Sequence, residues 1–497
     1  MRPLLALLLL AACPSVEEEQ PPIVEPQGPP FERWTDRAGV DVPEGLGVSA
    51  GDVNGDGWPD LFLPALLGTG GEFGHRLFLN RGDGSFDDAS ADWLPRTTRH
   101  GAWGATLADL DGDGDLDIAL AGTGPNRLWR NDGDGFVELV STTVDGDPQA
   151  SGASIAAADW DGDGRLDLYV VNHEFQGQSG GGVPHPPDLL LRNLGDFAFE
   201  DVSALLPEAR RAGAGFAAAW TDLDEDGDVD LYVVNDFGRD VPNQYFRNDG
   251  GSFLPADAIC ACGLAVDGMG VATADYDGDE RVDLYLSDRH GERLLRNLGG
   301  LTVETTATDG GLGDSTDASR GTSWTPEFLD FDRDGWPDLV LAFGDEFAHD
   351  PADNRLLRNV GGSFEEVEDS GFEDPRDTRG LALIDVDRDG CTDLALRGPT
   401  GFELYRGRCP DRGWIGLELE GLAAGARVEV MAGRRQVHEV GVGSTSVHGS
   451  RDPSLRFGLG DAALEEVLVR WPEGAIDRWT DLEPGAYHAL ERGGGDR

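Results

Sequence analysis

Short apolar runs recur along the chain, and each is bounded by turns rich in Asp and Gly. Seven nine-residue segments stand in one register, starting at Asp52, Asp109, Asp159, Asp222, Asp275, Asp330 and Asp385. They read DVNGDGWPD, DLDGDGDLD, DWDGDGRLD, DLDEDGDVD, DYDGDERVD, DFDRDGWPD and DVDRDGCTD, at spacings of 57, 50, 63, 53, 55 and 55 residues. An apolar strand follows each, such as LFLPA, IALAG or LYVVN. After a variable gap come another apolar run, an N-x-G turn and a last short strand, as in LLLRNLGDFAF. Apolar runs on either side of a Gly-bearing turn predict a hairpin. Each repeat therefore predicts strand, Asp loop, strand, gap, strand, hairpin, strand. Four strands in a repeat of roughly 40 to 60 residues is the pattern of a propeller blade.

The fold class read from this pattern is all-β: a seven-bladed β-propeller over residues 31–410 followed by a small β-sandwich over 413–492. The seventh repeat (FELYRGRC) lacks its last strand, and an unpartnered copy stands at Phe31–Thr35. That copy is expected to complete the last blade and remove an open sheet edge. In the tail, WIGLELEG, ARVEVMAG, RQVHEVGV, EEVLVRW and YHALE alternate like strands between Gly and Pro turns.

Charge sharpens the picture. The 497 residues carry 94 Asp plus Glu against 39 basic residues, all of them Arg, for a formal net charge of −55. Nucleic acid is excluded as a partner, because phosphate binding needs a basic surface. The 72 Gly fit many tight turns.

The placement of the acids points to calcium, which takes six to eight oxygen ligands. Positions 1, 3, 5 and 9 of each loop carry the candidate ligands. They are Asp52, Asn54, Asp56 and Asp60; Asp109, Asp111, Asp113 and Asp117; Asp159, Asp161, Asp163 and Asp167; and Asp222, Asp224, Asp226 and Asp230. The later loops offer Asp275, Asp277, Asp279 and Asp283; Asp330, Asp332, Asp334 and Asp338; and Asp385, Asp387, Asp389 and Asp393. Up to seven calcium ions are expected, with a backbone carbonyl from position 7. Glycine at position 6 permits the sharp turn, and Glu280 in its place is expected to distort the fifth loop. An EF-hand would need Glu at position 12. Leu63, Leu120, Val170, Val233, Leu286, Leu341 and Leu396 stand there instead, so these are β-hairpin loops.

Leu4–Ala12 is wholly apolar and ends at Cys13. It is too short to span a bilayer and matches a secretory signal. Leu10-Ala11-Ala12-Cys13 resembles the bacterial lipobox, so residues 1–13 are expected to direct export and lipidation of Cys13. Residues 14–30, rich in Pro and Glu, read as an extended tether. The expected location is the bacterial cell envelope, with membrane contact through the lipid anchor alone. Four further cysteines, Cys260, Cys262, Cys391 and Cys409, suit disulfides in an exported protein. A Cys391–Cys409 clamp and a tight Cys260–Cys262 bridge are both open, among three pairings. His173 and His185, in the longest gap, read as isolated surface histidines.

The repeats resemble FG-GAP/VCBS repeats, the type found in integrin α-chain propellers. The tail resembles the ASPIC/UnbV domain through Gly425-Ala426-Arg427-Val428, Gly441-Val442-Gly443-Ser444, Phe457-Gly458-Leu459-Gly460 and Val469-Arg470-Trp471-Pro472. An aromatic that the pattern places after Gly-x-Gly-Ser is absent; Thr445, Ser446 and Val447 stand there. The pairing is similar to the cartilage acidic protein family and its bacterial relatives. The resemblance implies a calcium-binding, extracellular, non-catalytic protein. The sequence offers no G-x-S-x-G, H-E-x-x-H or phosphate loop. The leading expectation is a binding or adhesion module for an extracellular protein or polysaccharide. The Asp loops and N-x-G turns share one face, so the partner is expected on the opposite face, where the variable gaps lie. The alternatives are a propeller enzyme acting on an extracellular polymer and a structural subunit of an envelope complex.

Overall fold

Each Asp loop joins two antiparallel strands, the second starting at the loop's ninth residue, as in Val48–Gly51 and Asp60–Leu63. The computed structural model describes residues 28–496 apart from 43–44, 66–73, 96–100, 123–124, 140–141, 146–150, 174–185, 209–213, 290, 307–320, 345–352, 373–376, 422, 444–445, 447 and 451. Cys13, the segments before residue 28 and His185 lie outside the described residues.

Strands follow one another in meander order to give repeated four-stranded antiparallel sheets, seven among the described residues. The first holds Val48–Gly51, Asp60–Leu63, Arg76–Asn80 and Phe86–Asp88. The first strands of the other six are Ala102–Ala108, Ser151–Ala158, Gly215–Thr221, Gly268–Ala274, Thr322–Leu329 and Gly380–Ile384. Each first strand adjoins the next, and that of the seventh sheet adjoins that of the first. The arrangement is propeller-like. The seventh sheet takes its outermost strand from the start of the chain: Phe31 pairs with Gly407, Glu32 with Arg406 and Arg33 with Tyr405.

The sheets pack face to face, so both faces of each second strand are buried. Position 11 of the repeat, which alternation alone would turn outward, is buried too: Phe62, Tyr169, Tyr232 and Tyr285 are each 0% exposed. The apolar clusters sit between consecutive sheets; one joins Trp160 and Tyr169 of the third to Phe216, Trp220 and Phe253 of the fourth.

Residues 413–490 form a three-stranded and a four-stranded sheet around one core that includes Ile415, Val428, Phe457, Val469 and Trp479. Two strands beyond those read from the sequence are Leu455–Gly460 and Ile476–Trp479. This tail also sends a segment into the space among the first strands. Val442 and Gly443 pair with Ala157 and Ala156 of the third sheet, and Gly449 and Ser450 with Val48 and Ser49 of the first. Ser446 bridges to Gly270 of the fifth sheet and shares a 2.7 Å hydroxyl contact with Thr325 of the sixth. Val442 and Gly443 of the Gly-x-Gly-Ser stretch thus extend the third sheet at its inner edge.

Both disulfides join near neighbours. Cys391 and Cys409 bridge within the last sheet's edge at a Cα–Cα distance of 5.6 Å, and Cys260 and Cys262 at 5.2 Å across Ala261, whose φ is 58°. His173 is a correction to the expectation of a surface residue. It ends a strand, is 4% exposed, and stacks on Phe216 at 4.2 Å. Among the described residues, no helix is long and apolar enough to cross a membrane.

Candidate metal centre at the seven aspartate loops

Position 1 anchors the turn. In all seven loops its Oδ1 accepts the N–H of position 5 and its Oδ2 that of position 6, as from Asp56 (3.2 Å) and Gly57 (2.7 Å) to Asp52. To deliver both N–H groups the backbone turns left-handed twice. The angle φ runs from 51° to 81° at position 4 and from 69° to 99° at position 6. Glycine enters that region without a steric penalty; Glu225, Arg333 and Arg388 at position 4 and Glu280 at position 6 enter it at about 1 kcal/mol each. The fifth loop keeps this turn without its glycine. The N–H of Glu280 still reaches Asp275 Oδ2 at 3.1 Å.

Position 9 ties the loop to the hairpin. Its Oδ1 accepts the backbone N–H of the Asn in N-x-G, as from Asn193 to Asp167 (2.7 Å) and Asn248 to Asp230 (2.8 Å). In six loops its Oδ2 also accepts the N–H of position 2, as from Leu110 to Asp117 at 2.8 Å. The Asn does more than turn the chain. Its Nδ2 donates to the position 2 carbonyl of the preceding sheet's loop: Asn131 to Val53 (2.7 Å), Asn193 to Leu110 (2.8 Å), Asn248 to Trp160 (2.8 Å), Asn297 to Leu223 (2.9 Å) and Asn359 to Tyr276 (2.7 Å). Asn80 of the first sheet reaches Val386 of the seventh at 2.9 Å. The seventh sheet carries Gly407 at this position, where an added Cβ would collide with the Thr392 carbonyl. Arg333 of the sixth sheet instead donates to the Asp389 carbonyl of the seventh at 2.9 Å.

Position 3 is shared between an arginine and open space. The residue before the hairpin Asn, or before Gly407 in the seventh sheet, is Arg in most sheets; in five it pairs with Oδ2 of the position 3 Asp, whereas Arg130 of the second sheet meets Asp132 at 2.6 Å. Arg192 meets Asp161 at 2.8 Å, Arg358 meets Asp332 at 3.0 Å, and Arg247 meets Asp224 at 3.8 Å. Arg296 with Asp277 and Arg406 with Asp387 make the same pair. The other oxygen, Oδ1, is buried without a hydrogen-bond partner in Asp161, Asp224, Asp332 and Asp387, as is Oδ2 of Asp167. Where Asn54 replaces the position 3 Asp, Leu79 replaces the arginine.

Positions 1, 3 and 9 bring one carboxylate oxygen each to within 4.8 Å of one another in the second, third, fourth and sixth loops; positions 1, 3 and 5 do so in the fifth. Burial pushes the carboxyls of Asp60, Asp117, Asp167 and Asp230 up to about 8 and that of Asp283 to about 9, and the neighbouring loop carboxylates push the same way. Such a group either holds a proton or needs a cation beside it. Buried oxygens without partners, converging carboxylates and the absence of sulfur and imidazole donors suit a hard divalent ion. Asp52, Asn54 and Asp56 of the first loop and Asp385, Asp387, Asp389 and Asp393 of the seventh lie in the same turn. Asn54 there bonds Asp56 through both its amide and its carbonyl. Positions 5 (Asp113, Asp163, Asp226, Asp279, Asp334) sit at the loop tips, where several cap the N–H of position 7.

The tail covers this same face over the fourth to seventh sheets, which the sequence did not reveal. Tyr487 donates to Asp385, and the Gly458 N–H to Asp330 Oδ2 at 3.1 Å. Glu439 accepts from Thr221 Oγ1 (2.7 Å) and the Asp222 N–H (3.2 Å). Arg434 lies 3.9 Å over the Trp336 ring.

The FG-GAP-like repeat pattern matches residues 66–120, 109–170, 222–286, 275–341 and 330–396, more than half of the chain. The chain belongs to the FG-GAP-like repeat family. Residues 416–497 match the ASPIC and UnbV domain. Cartilage acidic protein 1 of Homo sapiens is 26% identical over 443 residues, covering 78% of this chain and 63% of that protein. The Mus musculus protein is 25% identical over 479 residues, covering 86% and 71%. The chain thus spans less than two thirds of the human relative. Among solved structures, a lectin of Agrocybe aegerita that recognises non-reducing terminal N-acetylglucosamine aligns at a TM-score of 0.43 with 19% identity, over 69% of this chain and 84% of the lectin. BBS1N in complex with ARL6DN aligns at 0.45 with 12% identity, over 77% and 98%. Both scores lie below 0.5, and the functional reading rests on the FG-GAP loops instead.

Proposed function

We propose that the chain is a calcium-stabilised, non-catalytic binding module of the bacterial cell envelope, held to the membrane by a lipid on Cys13. In this reading the seven sheets are blades of one closed propeller, the tail is a β-sandwich docked on it, and each Asp loop takes a calcium ion. The observation that carries it is the set of buried, unpartnered oxygens on Asp161, Asp167, Asp224, Asp332 and Asp387. An unpaired buried carboxylate oxygen costs several kcal/mol unless a cation meets it (~3 kcal/mol or more). Family membership favours an extracellular setting.

The partner is an extracellular protein or polysaccharide that docks on the face opposite the Asp loops. The tail already occupies much of the loop face, which supports that choice. Ions on the loop face then hold the scaffold and do not touch the partner. Thermal melting with and without chelator tests the calcium reading: a marked fall in Tm on chelation is expected, and an unchanged melt overturns it. Capture from envelope fractions and binding to a glycan array test the partner. Exchange of the gap loops should abolish whichever binding is found; binding that survives the exchange rules out that face.

A further inference from the structure

We propose that a crevice between the loop face and the tail binds a cationic peptide segment bearing apolar side chains. The tail leans on the loops of the fourth to seventh sheets and touches those of the second and third through Ala424, which joins Leu110 and Leu166 in one apolar cluster. A space of about 690 Å³ is left there, within the range of organic-ligand sites, ~300–1,000 Å³. It is separate from the face proposed for the envelope partner and does not depend on that reading.

The lining has two chemistries. Its apolar part, the floor, includes Leu116 and Leu166 from the second and third loops and Leu419 and Val440 from the tail. Its acidic part, the walls, includes Asp109 and Asp115 on the loop side and Glu420 on the tail side, while Asp452 is buried and paired with Arg456 at 3.4 Å. Arg165 is the one cation among the described lining residues, and it is already paired with Asp163. Calcium does not reverse this sign. The second loop carries Asp at 109, 111, 113, 115 and 117, so one divalent ion leaves it negative. Asp115 and Glu420 are not candidate ligands through their side chains, and Glu420 is exposed. An anionic glycan is repelled by such walls, and a bare cation leaves the apolar floor unused. A ligand with guanidinium or ammonium groups and aliphatic side chains satisfies both.

The test uses the full chain in saturating calcium. Fluorescence anisotropy is read with a labelled Leu-Arg-Leu-Arg-Leu peptide and, as control, Leu-Glu-Leu-Glu-Leu. Micromolar binding of the basic peptide alone is expected, on the order of 10⁻⁶ M. The double variant Asp115→Arg/Glu420→Arg reverses one charge on each wall and should weaken it about tenfold or more. Asp36→Arg/Glu365→Arg changes the net charge equally at exposed sites elsewhere, and should leave affinity within about twofold. The calcium-induced rise in Tm, measured on each variant, should persist and shows that fold and loops are intact. No binding of the basic peptide, equal binding of both peptides, or equal losses in the two double variants would overturn the proposal.

Discussion

Tyr487 donates its hydroxyl to Oδ2 of Asp385 at 2.6 Å, across 102 positions of sequence and from the tail to the seventh loop. The same oxygen takes the Gly390 N–H at 2.8 Å. Arg388 lies 4.1 Å over the Tyr487 ring and donates to Glu418 at 2.6 Å. A candidate ion ligand is thereby also a docking contact. Tyr487→Phe removes one hydrogen bond to a carboxylate while leaving the ring in place. It should destabilise the chain by about 1.5–3 kcal/mol in chemical denaturation, with the loss largest in the phase that reports tail undocking.

The hairpin Asn residues staple each sheet to its predecessor. Asn248→Ala breaks the bonds from Nδ2 to the Trp160 and Val229 carbonyls (2.8 and 3.2 Å), both made in a buried setting. The expected cost is about 2–4 kcal/mol, since buried carbonyls lose their donor. Urea denaturation of this variant beside Asn248→Asp, which keeps the shape but replaces the donor, checks that the amide and not the volume matters.

The arginine beside position 3 partly stands in for a cation. Without metal, Arg358→Met leaves Asp332 with one fewer opposing charge. With calcium bound, the ion opposes it instead. The variant should therefore lower the Tm of the chelated protein more than that of the calcium-loaded protein, so that the calcium-induced rise widens. Differential scanning calorimetry in chelator and in calcium checks this. Equal losses in both conditions would assign the arginine to packing alone.

Two buried acids away from the loops give a pH signature. Asp188 takes hydrogen bonds from Tyr169 Oη and the Asn172 N–H (2.8 and 2.7 Å), and Glu292 takes one from Tyr285 Oη at 2.7 Å. Burial pushes both carboxyls up to about 7. The folded chain thus holds protons that the unfolded chain releases near pH 4. Their stabilisation is full below that value and is lost as pH rises through about 7. Stability should fall between about pH 4.5 and 7.5 in chelated protein, where the raised loop carboxyls add to the same slope, and Asp188→Asn/Glu292→Gln should make that slope shallower without removing it.

The fold was largely written in the repeat. Period-two apolar runs placed the strands, and the missing last strand of the seventh repeat pointed to Phe31. The residues of the candidate metal centre were legible because seven copies share one register. Other features need three dimensions. The left-handed turn at position 4 is masked by Glu225, Arg333 and Arg388, residues that sequence reading does not associate with positive φ. Asn and Arg of the R-N pairs recur visibly in the chain, yet their targets lie in a neighbouring loop or sheet, where spacing says nothing. His173 looked exposed because its loop is rich in Gly and Pro, while its strand end is covered by Phe216. The docking of the tail is carried by single residues such as Tyr487 and Glu439, which form no pattern at all.

Val442, Gly443, Ser446, Gly449 and Ser450 meet the first strands, and they are translated after every sheet strand except Leu455–Gly460, Glu466–Arg470, Ile476–Trp479 and Tyr487–Leu490 of the tail itself. During synthesis the first strands are therefore complete before the residues that pair with their inner edges have been made. A truncation that removes the tail would leave the inner edges of the first and third sheets without strand partners, presenting bare N–H and C=O groups to one another and to other chains.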